Sequence, residues 1–294
     1  MYGIIDIGSN TMRLSCYRVV DKNLIPVFHK KEMAGLAGYV DENKNLSSKG
    51  IAKAIKTLKD FQKIVMCVGL DNLYVIATAS FRNVENTAEI VKQIQDQTGL
   101  NVQVLSGEEE AMCDFNGARH NENMEEGIVV DIGGGSTELV PFSGDHVNHA
   151  VSIPLGSLNL FSKCVEEIFP TKAEEMLIRA RVRKELDKLQ ISNKREILGV
   201  GGSNRACLKL YNDYYKMEDG NREMECEKIH EMLGAFSINQ KKVMKRILRI
   251  VPDRIHTVLP GIIVLDEIIN HYHCEKVTVS KWGVREGFLI ERVL

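Results

Sequence analysis

Apolar positions along the chain switch repeatedly between the close or alternating spacing of strands and the three-and-four spacing of helices. Tyr2–Ile7 and residues 13–20 read as two strands joined by the tight segment Gly8-Ser9-Asn10-Thr11. Ser47 has the chemistry of a helix N-cap, and Ile51, Ile55, Leu58, Phe61 and Val65 follow it at helical spacing. Strands are predicted over 73–77 and 102–105, and a short helix over 87–97 that Gly99 terminates. A helix beginning near Glu108 runs into the polar stretch 120–126. The pattern then resumes with strands over 128–131, 137–142, 197–200 and 276–280. Helices are predicted over 171–189, from Gly201-Gly202-Ser203 onward, over 227–236, 241–250 and 261–271, and from Arg285. Strands alternating with helices predict an α/β fold, with domains at 1–123 and 124–294.

One internal echo carries most of the information. Ile4-Ile5-Asp6-Ile7-Gly8-Ser9 returns as Val129-Val130-Asp131-Ile132-Gly133-Gly134, followed each time by a second strand. Self-similarity at domain spacing indicates two copies of one core. Both turns join strand to strand, whereas a P-loop or dinucleotide fingerprint runs from strand into helix with other glycine spacings.

A Gly/Ser-rich hairpin tip leaves backbone N–H groups unpaired and aimed one way, which suits an anion, and glycine admits phosphate oxygens close to the main chain. An aspartate ending the incoming strand is an oxygen ligand suited to Mg²⁺. Two such tips facing across a cleft would clamp a phosphate chain. An ordinary Asx-Gly hairpin explains either turn alone, but poorly explains two in order.

These residues, together with others spread over nearly the whole chain, resemble the exopolyphosphatase and guanosine pentaphosphate phosphohydrolase family of the actin-like ATPase superfamily. The matching residues are Asp6 to Asn10 with Arg13; Ala77-Thr78 with Ser80, Arg82 and Asn86; Ser106-Gly107 with Glu109-Glu110-Ala111; and Asp131 to Glu138, reading DIGGGSTE. Ser152, Pro154-Leu155-Gly156, Gly201-Gly202-Ser203, Pro260-Gly261, Ser280 and Gly283 with Arg285-Glu286-Gly287 complete the set. The resemblance implies two actin-like (ribonuclease H-like) domains, an interdomain active site, a Mg²⁺ requirement and release of terminal phosphate from inorganic polyphosphate or a guanosine tetra/pentaphosphate. The short exopolyphosphatases are the expected relatives. Two departures stand out: Met33-Ala34-Gly35-Leu36-Ala37 and Ser157-Leu158-Asn159 lack arginines that many members carry there.

Phosphoanhydride hydrolysis needs charge neutralisation, alignment and an activated water. The phosphate cradle is assigned to Gly8, Ser9, Asn10, Gly133, Gly134, Gly135 and Ser136, with Gly201 and Gly202 for a distal phosphate; Asp6 and Asp131 go to Mg²⁺. Arg13 and Arg82 are candidates for forked phosphate contacts. Glu110 is the expected general base by the family's Glu-Glu-Ala motif, although Glu108-Glu109-Glu110 also reads as an acidic helix start suited to the dipole. Glu138 is expected to share water positioning or metal binding. Gly201-Gly202-Ser203 reads equally as a tight strand-to-helix turn, and Ser280 with Arg285-Glu286-Gly287 reads first as a brace for the last helix.

Composition narrows the field further. In 294 residues, 38 basic side chains stand against 40 acidic ones, a formal charge of −2 that removes the generic argument for nucleic-acid binding. No apolar run approaches the ~20 residues of a membrane helix, and the opening residues do not read as a signal peptide. Seven scattered cysteines, never in a CxxC pair, read as buried hydrophobes in a reducing, cytoplasmic setting. The basic runs 241–249 and 179–184 read as solvated faces or as a polyanion track, Trp282 as a packing or interface residue, and a homodimer is the candidate assembly. The leading expectation is an exopolyphosphatase. Its rivals are a guanosine pentaphosphate phosphohydrolase, a sugar or acetate kinase, and a non-catalytic polyphosphate or alarmone sensor.

Overall fold

The computed structural model describes residues 1–120 and 122–294; Asn121, within the predicted polar stretch 120–126, lies outside them. Two mixed sheets organise the chain. The first contains β1 (Tyr2–Ile7), β2 (Thr11–Val20), β3 (Asn23–Met33), β4 (Asn72–Ala77) and β5 (Val102–Val104) in the order β3-β2-β1-β4-β5. Helices α1 (Ser48–Val68), α2 (Ala79–Arg82) and α3 (Thr87–Thr98) accompany it, while α4 (Gly107–Arg119) packs Ala111, Phe115 and Ala118 against Val129, Val140 and Phe142 of the second sheet.

The second sheet contains β6 (Glu126–Ile132), β7 (Thr137–Ser143), β8 (His146–Val147), β9 (Val151–Ile153), β10 (Glu196–Val200), β11 (Glu223–Glu225) and β12 (Lys276–Val279). Its order is β11-β12-β10-β6-β7-β8, with β9 also on β7. Around it lie α5 (Ser157–Cys164), α6 (Lys172–Leu186), α7 (Gly201–Tyr215), α8 (Cys226–Ile238), α9 (Gln240–Ile250) and α10 (Val258–Tyr272), and the chain ends in α11 (Val284–Val293).

The sequence echo is a structural one. In each sheet an antiparallel hairpin, β1–β2 or β6–β7, sits beside parallel strands, β4–β5 or β10–β12. Strands covered on both faces must be apolar at successive positions. Ile4, Ile5 and Ile7 are accordingly buried, as are Ile128, Val129, Val130 and Ile132. Full burial of each such side chain contributes about 1.5–3 kcal/mol.

The edge strand β3 and the helix α5 were not predicted. β3 carries Pro26 and the charged run Lys30-Lys31-Glu32, which hides any strand period. Pro26 has no N–H to donate, and the β2 register shifts between Cys16 and Tyr17, opposite it. Helix α5 begins where Gly156 N–H donates to Asn159 Oδ1 at 2.8 Å, a contact that no apolar pattern announces.

The last helix returns to the first sheet. Phe288 and Leu289 of α11 are buried against Ile4, Ile76 and Leu105, Tyr17 donates its hydroxyl to Glu286, and Arg285 Nη1 donates to Ser15 Oγ at 3.1 Å. Helices α4 and α11 touch backbone to backbone: a Cβ on Gly287 would lie 1.7 Å from the Cys113 carbonyl oxygen.

Trp282 stacks on His120, with ring centroids 5.1 Å apart. All seven cysteines are free. Six are buried as predicted, but Cys67 is exposed. Among the described residues, no helix is long and apolar enough to cross a membrane.

Candidate active site

The two hairpin turns have the same construction. Gly8 N–H donates to Thr11 O at 3.0 Å, and Gly133 N–H donates to Ser136 O at 2.9 Å. Each turn's carbonyls are then taken by a following segment. Ser9 O and Asn10 O accept from Ala37 and Gly35, while Gly133 O and Gly134 O accept from Ser157 and Leu158. The two stretches that lack family arginines therefore hold the turns by their backbones. Among the described residues, none accepts from the N–H groups of Ser9, Asn10, Gly134 or Gly135.

The tips meet. A Cβ on Gly135 would lie 2.7 Å from Ser9 Oγ, so a larger residue there would push the Ser9 side chain aside. Beside them opens a cavity of about 120 Å³, lined by Asp6, Gly8, Ser9, Asn10, Arg13, Glu110, Asp131, Gly133, Gly134, Gly135, Ser136, Gly201 and Gly202. Residues distant in sequence thus share one chamber between the sheets.

The order of the acids in α4 separates the two readings of Glu108-Glu109-Glu110. Ser106 caps the helix, accepting from Glu109 N–H at 3.1 Å, while Glu109 Oε2 accepts from Ser106 N–H at 2.7 Å. Glu108 and Glu109 are exposed, but the next residue, ~100° further around the helix, turns inward. Glu110 is only 8% exposed. Burial pushes its carboxyl up to about 7, against the pull of Arg82 and with help from Asp131 and Asp6.

Arg82 and Glu138 stand behind the chamber rather than on its wall. Arg82 Nη1 donates to Glu110 Oε2 at 2.6 Å and to Leu105 O at 3.1 Å. Its Nη2 lies 3.2 Å from Ser152 Oγ and 3.6 Å from Glu138 Oε1. The guanidinium expected at phosphate bonds Glu110 here, and its Nη2 lies 3.5 Å from Ser136 Oγ of the chamber wall. Glu138 accepts from Ser152 Oγ at 2.7 Å, and burial raises its carboxyl well above the usual range.

Two arginines on the chamber wall had no role in the sequence reading, Arg205 and Arg254, and Arg285, read first as a brace for the last helix, joins them there. Arg205 lies in the first turns of α7, one helical turn beyond Gly201-Gly202, so helix geometry offered a signal for it. Arg254 follows a Pro252-Asp253 turn and offered none. Burial and mutual repulsion lower Arg13 to about 10, and lower Arg205 and Arg254 as well.

The chamber also suits a divalent cation. Asp6 and Asp131 border it, and the buried Asp131 Oδ1 has no hydrogen-bond partner. Burial raises both carboxyls, Asp131 to about 6. Among the described residues, no group of three or more His, Cys, Asp or Glu side chains is arranged to hold a metal. Two carboxylates with water and substrate oxygens completing the shell is a donor set Mg²⁺ accepts.

The basic runs do not reach the chamber wall. Arg246 and Arg249 pair with Asp213 at 2.9 and 2.7 Å. Arg179 pairs with Asp266 at 2.7 Å, and Arg183 with Glu267 at 2.8 Å.

The model of the Ppx/GppA phosphatase family matches residues 15–294. The chain belongs to this family. It is 24% identical over 308 residues to Exopolyphosphatase 1 of Mycobacterium tuberculosis, covering 99% of this chain and 88% of that protein. The crystal structure of the Aquifex aeolicus Ppx/GppA family member superposes with a TM-score of 0.82 at 26% identity, covering 99% of this chain and 97% of that one. An exopolyphosphatase from Cytophaga hutchinsonii shares the fold, with a TM-score of 0.85 at 18% identity over 100% of this chain and 98% of that one. The architecture is the two-domain, actin-like α/β fold that the family resemblance implied.

Proposed function

We propose that this Ppx/GppA phosphatase is a phosphoanhydride hydrolase that releases terminal orthophosphate from inorganic polyphosphate, working in the cytoplasm with its active site between domains 1–123 and 124–294. One observation carries the reading: two glycine-lined tips with unpartnered N–H groups meet beside a chamber walled by Arg13, Arg205, Arg254 and Arg285, with Glu110 on the same wall.

The tips' N–H groups hold the non-bridging oxygens of the terminal phosphate, and the arginines meet the charge of the rest of the chain. Ionised Glu110 takes a proton from a water whose oxygen attacks the terminal phosphorus. The bond from phosphorus to the bridging oxygen breaks, and the shortened chain leaves with that oxygen's charge. Arg82 holds Glu110 in place by its 2.6 Å bond. Asp6 and Asp131 would hold Mg²⁺, which when bound supplies neutralisation of phosphate charge. A kinase reading has less support, since the chain belongs to a phosphatase family.

A second reading, guanosine pentaphosphate hydrolysis, draws on the wide mouth of about 800 Å³ beside the tips, where Ala37, Val40, Val84 and Pro154 offer apolar surface for a purine. Orthophosphate release from polyphosphate and from guanosine pentaphosphate, each with and without Mg²⁺, separates the two. Tight binding with no release from either substrate would instead identify a sensor.

A further inference from the structure

The chamber opens in two directions, and the two openings share no lining residue. One passes Arg13, Arg205 and Arg254, which line the chamber and the groove beyond it. The other crosses Ser9, Ala79 and Gly135, which line the chamber and the wide mouth alike. These three small residues form a neck. A Cβ on Gly135 would lie 2.7 Å from Ser9 Oγ and 3.3 Å from Ala79 Cβ, so a larger residue there would crowd the passage. Ser9 Oγ is the nearest atom across the neck, and a change of its rotamer widens it.

The two sides differ in charge. Among the described lining residues of the groove, Asp253 is the one acid against five cations, so that side retains an anion. At the wide mouth Lys44 and Lys163 stand against Asp41 and Glu85, while Arg82 is held by Glu110 at 2.6 Å. Its charges nearly cancel. An anion crossing it is neither trapped nor turned back.

We propose that orthophosphate leaves over Ser9, Ala79 and Gly135 through the wide mouth while the shortened chain still lies on the arginine side, an inference that rests on the polyphosphate reading above. Cleavage leaves two anions side by side in a chamber of about 120 Å³, where they repel each other strongly. The arginines hold the shortened chain. The freed orthophosphate lies against the tips, with that chain between it and the groove, and the neck is the way open to it.

Ser162 and Glu85 are exposed at the mouth, and Lys209 is exposed in the groove. Acid-quenched samples of a long-chain polyphosphate reaction count all orthophosphate formed, whereas a phosphate-binding reporter counts only what has left the protein. The delay between the two signals reads release. Ser162→Trp narrows the mouth and Glu85→Lys makes it cationic, so each should lengthen the delay about threefold or more with the first-turnover cleavage rate unchanged. Ser162→Ala and Lys209→Trp should keep the wild-type delay. A delay that either mouth variant leaves unmoved, or that Lys209→Trp lengthens as much, overturns this exit. If the wild-type chain forms no orthophosphate, the hydrolytic reading fails separately. The exit is then judged by phosphorus NMR line broadening of added orthophosphate exchanging with the chamber beside bound polyphosphate. Ser162→Trp must slow that exchange and Lys209→Trp must not; equal rates in the two overturn it.

Discussion

Arg82 and Glu110 meet at 2.6 Å, Nη1 to Oε2, joining the end of α2 to the first turn of α4 behind the chamber. Burial raises the Glu110 carboxyl to about 7, and Arg82 is the largest influence opposing that rise. A general base works only when ionised. The rate should therefore climb with pH through an acid limb near neutrality and then level off. Replacing Arg82 with Gln removes the opposing charge, so that limb should move up by about one unit or more. The pH profile of kcat/KM checks this; a limb that stays put separates Arg82 from the titrating group.

Glu110→Gln keeps the shape of the side chain and removes its basicity. We expect kcat to drop ~10²-fold or more with substrate binding largely retained. Near-normal turnover in single-turnover assays would remove Glu110 from the base role.

Gly201 has φ +78°, and a Cβ there would lie 1.9 Å from Asp131 Oδ1. Gly201→Ala therefore strains the backbone and pushes on a proposed metal ligand. It should destabilise the fold by about 1 kcal/mol or more and weaken the response to Mg²⁺. Thermal unfolding with and without Mg²⁺ reads both effects, and an alanine variant matching wild type in both contradicts the placement.

The buried acids set a pH dependence of stability. Asp6, Glu110, Asp114, Asp131 and Glu138 all have folded values above their ordinary ones, chiefly through burial. A raised carboxyl stabilises the fold fully below its unfolded value, and that contribution is lost as pH rises through the folded value, about 6 for Asp131 and about 7 for Glu110. Without divalent cation, Tm should decline between about pH 5 and about pH 8. Mg²⁺ should raise Tm most at the alkaline end, and Asp131→Asn should flatten the slope. A Tm that increases toward pH 8 without cation would refute this account.

Gly287→Ala tests the seam between α4 and α11. Its Cβ would sit 1.7 Å from the Cys113 carbonyl oxygen, a rigid backbone atom. The helices must separate, so a loss of about 2 kcal/mol or more is expected in chemical denaturation. Unchanged stability would show that the helices part freely.

Local order decided how much of this could be read in advance. The strands of both hairpins are apolar because both their faces are covered, and the turns between them are glycine-rich because their tips meet. Both constraints leave their mark on runs of about ten residues, so the sequence displays them directly. Ser47 likewise caps the helix it was expected to open, and Thr171 caps the helix predicted to start at it. Strand β3 escaped because an edge strand is free to carry proline and charge.

The sequence by itself determined the duplicated hairpins, the α/β alternation and the acids at the strand ends, since each follows from backbone conformation and burial over a few neighbours. Only the tertiary structure decided what those groups face. It set Arg82 against Glu110, because two helices bring them within hydrogen-bond reach. It also gathered Arg13, Arg205, Arg254 and Arg285 onto one wall from four separate segments. Charge at such positions acts through space, and the distance between side chains of different lobes is written in no local pattern.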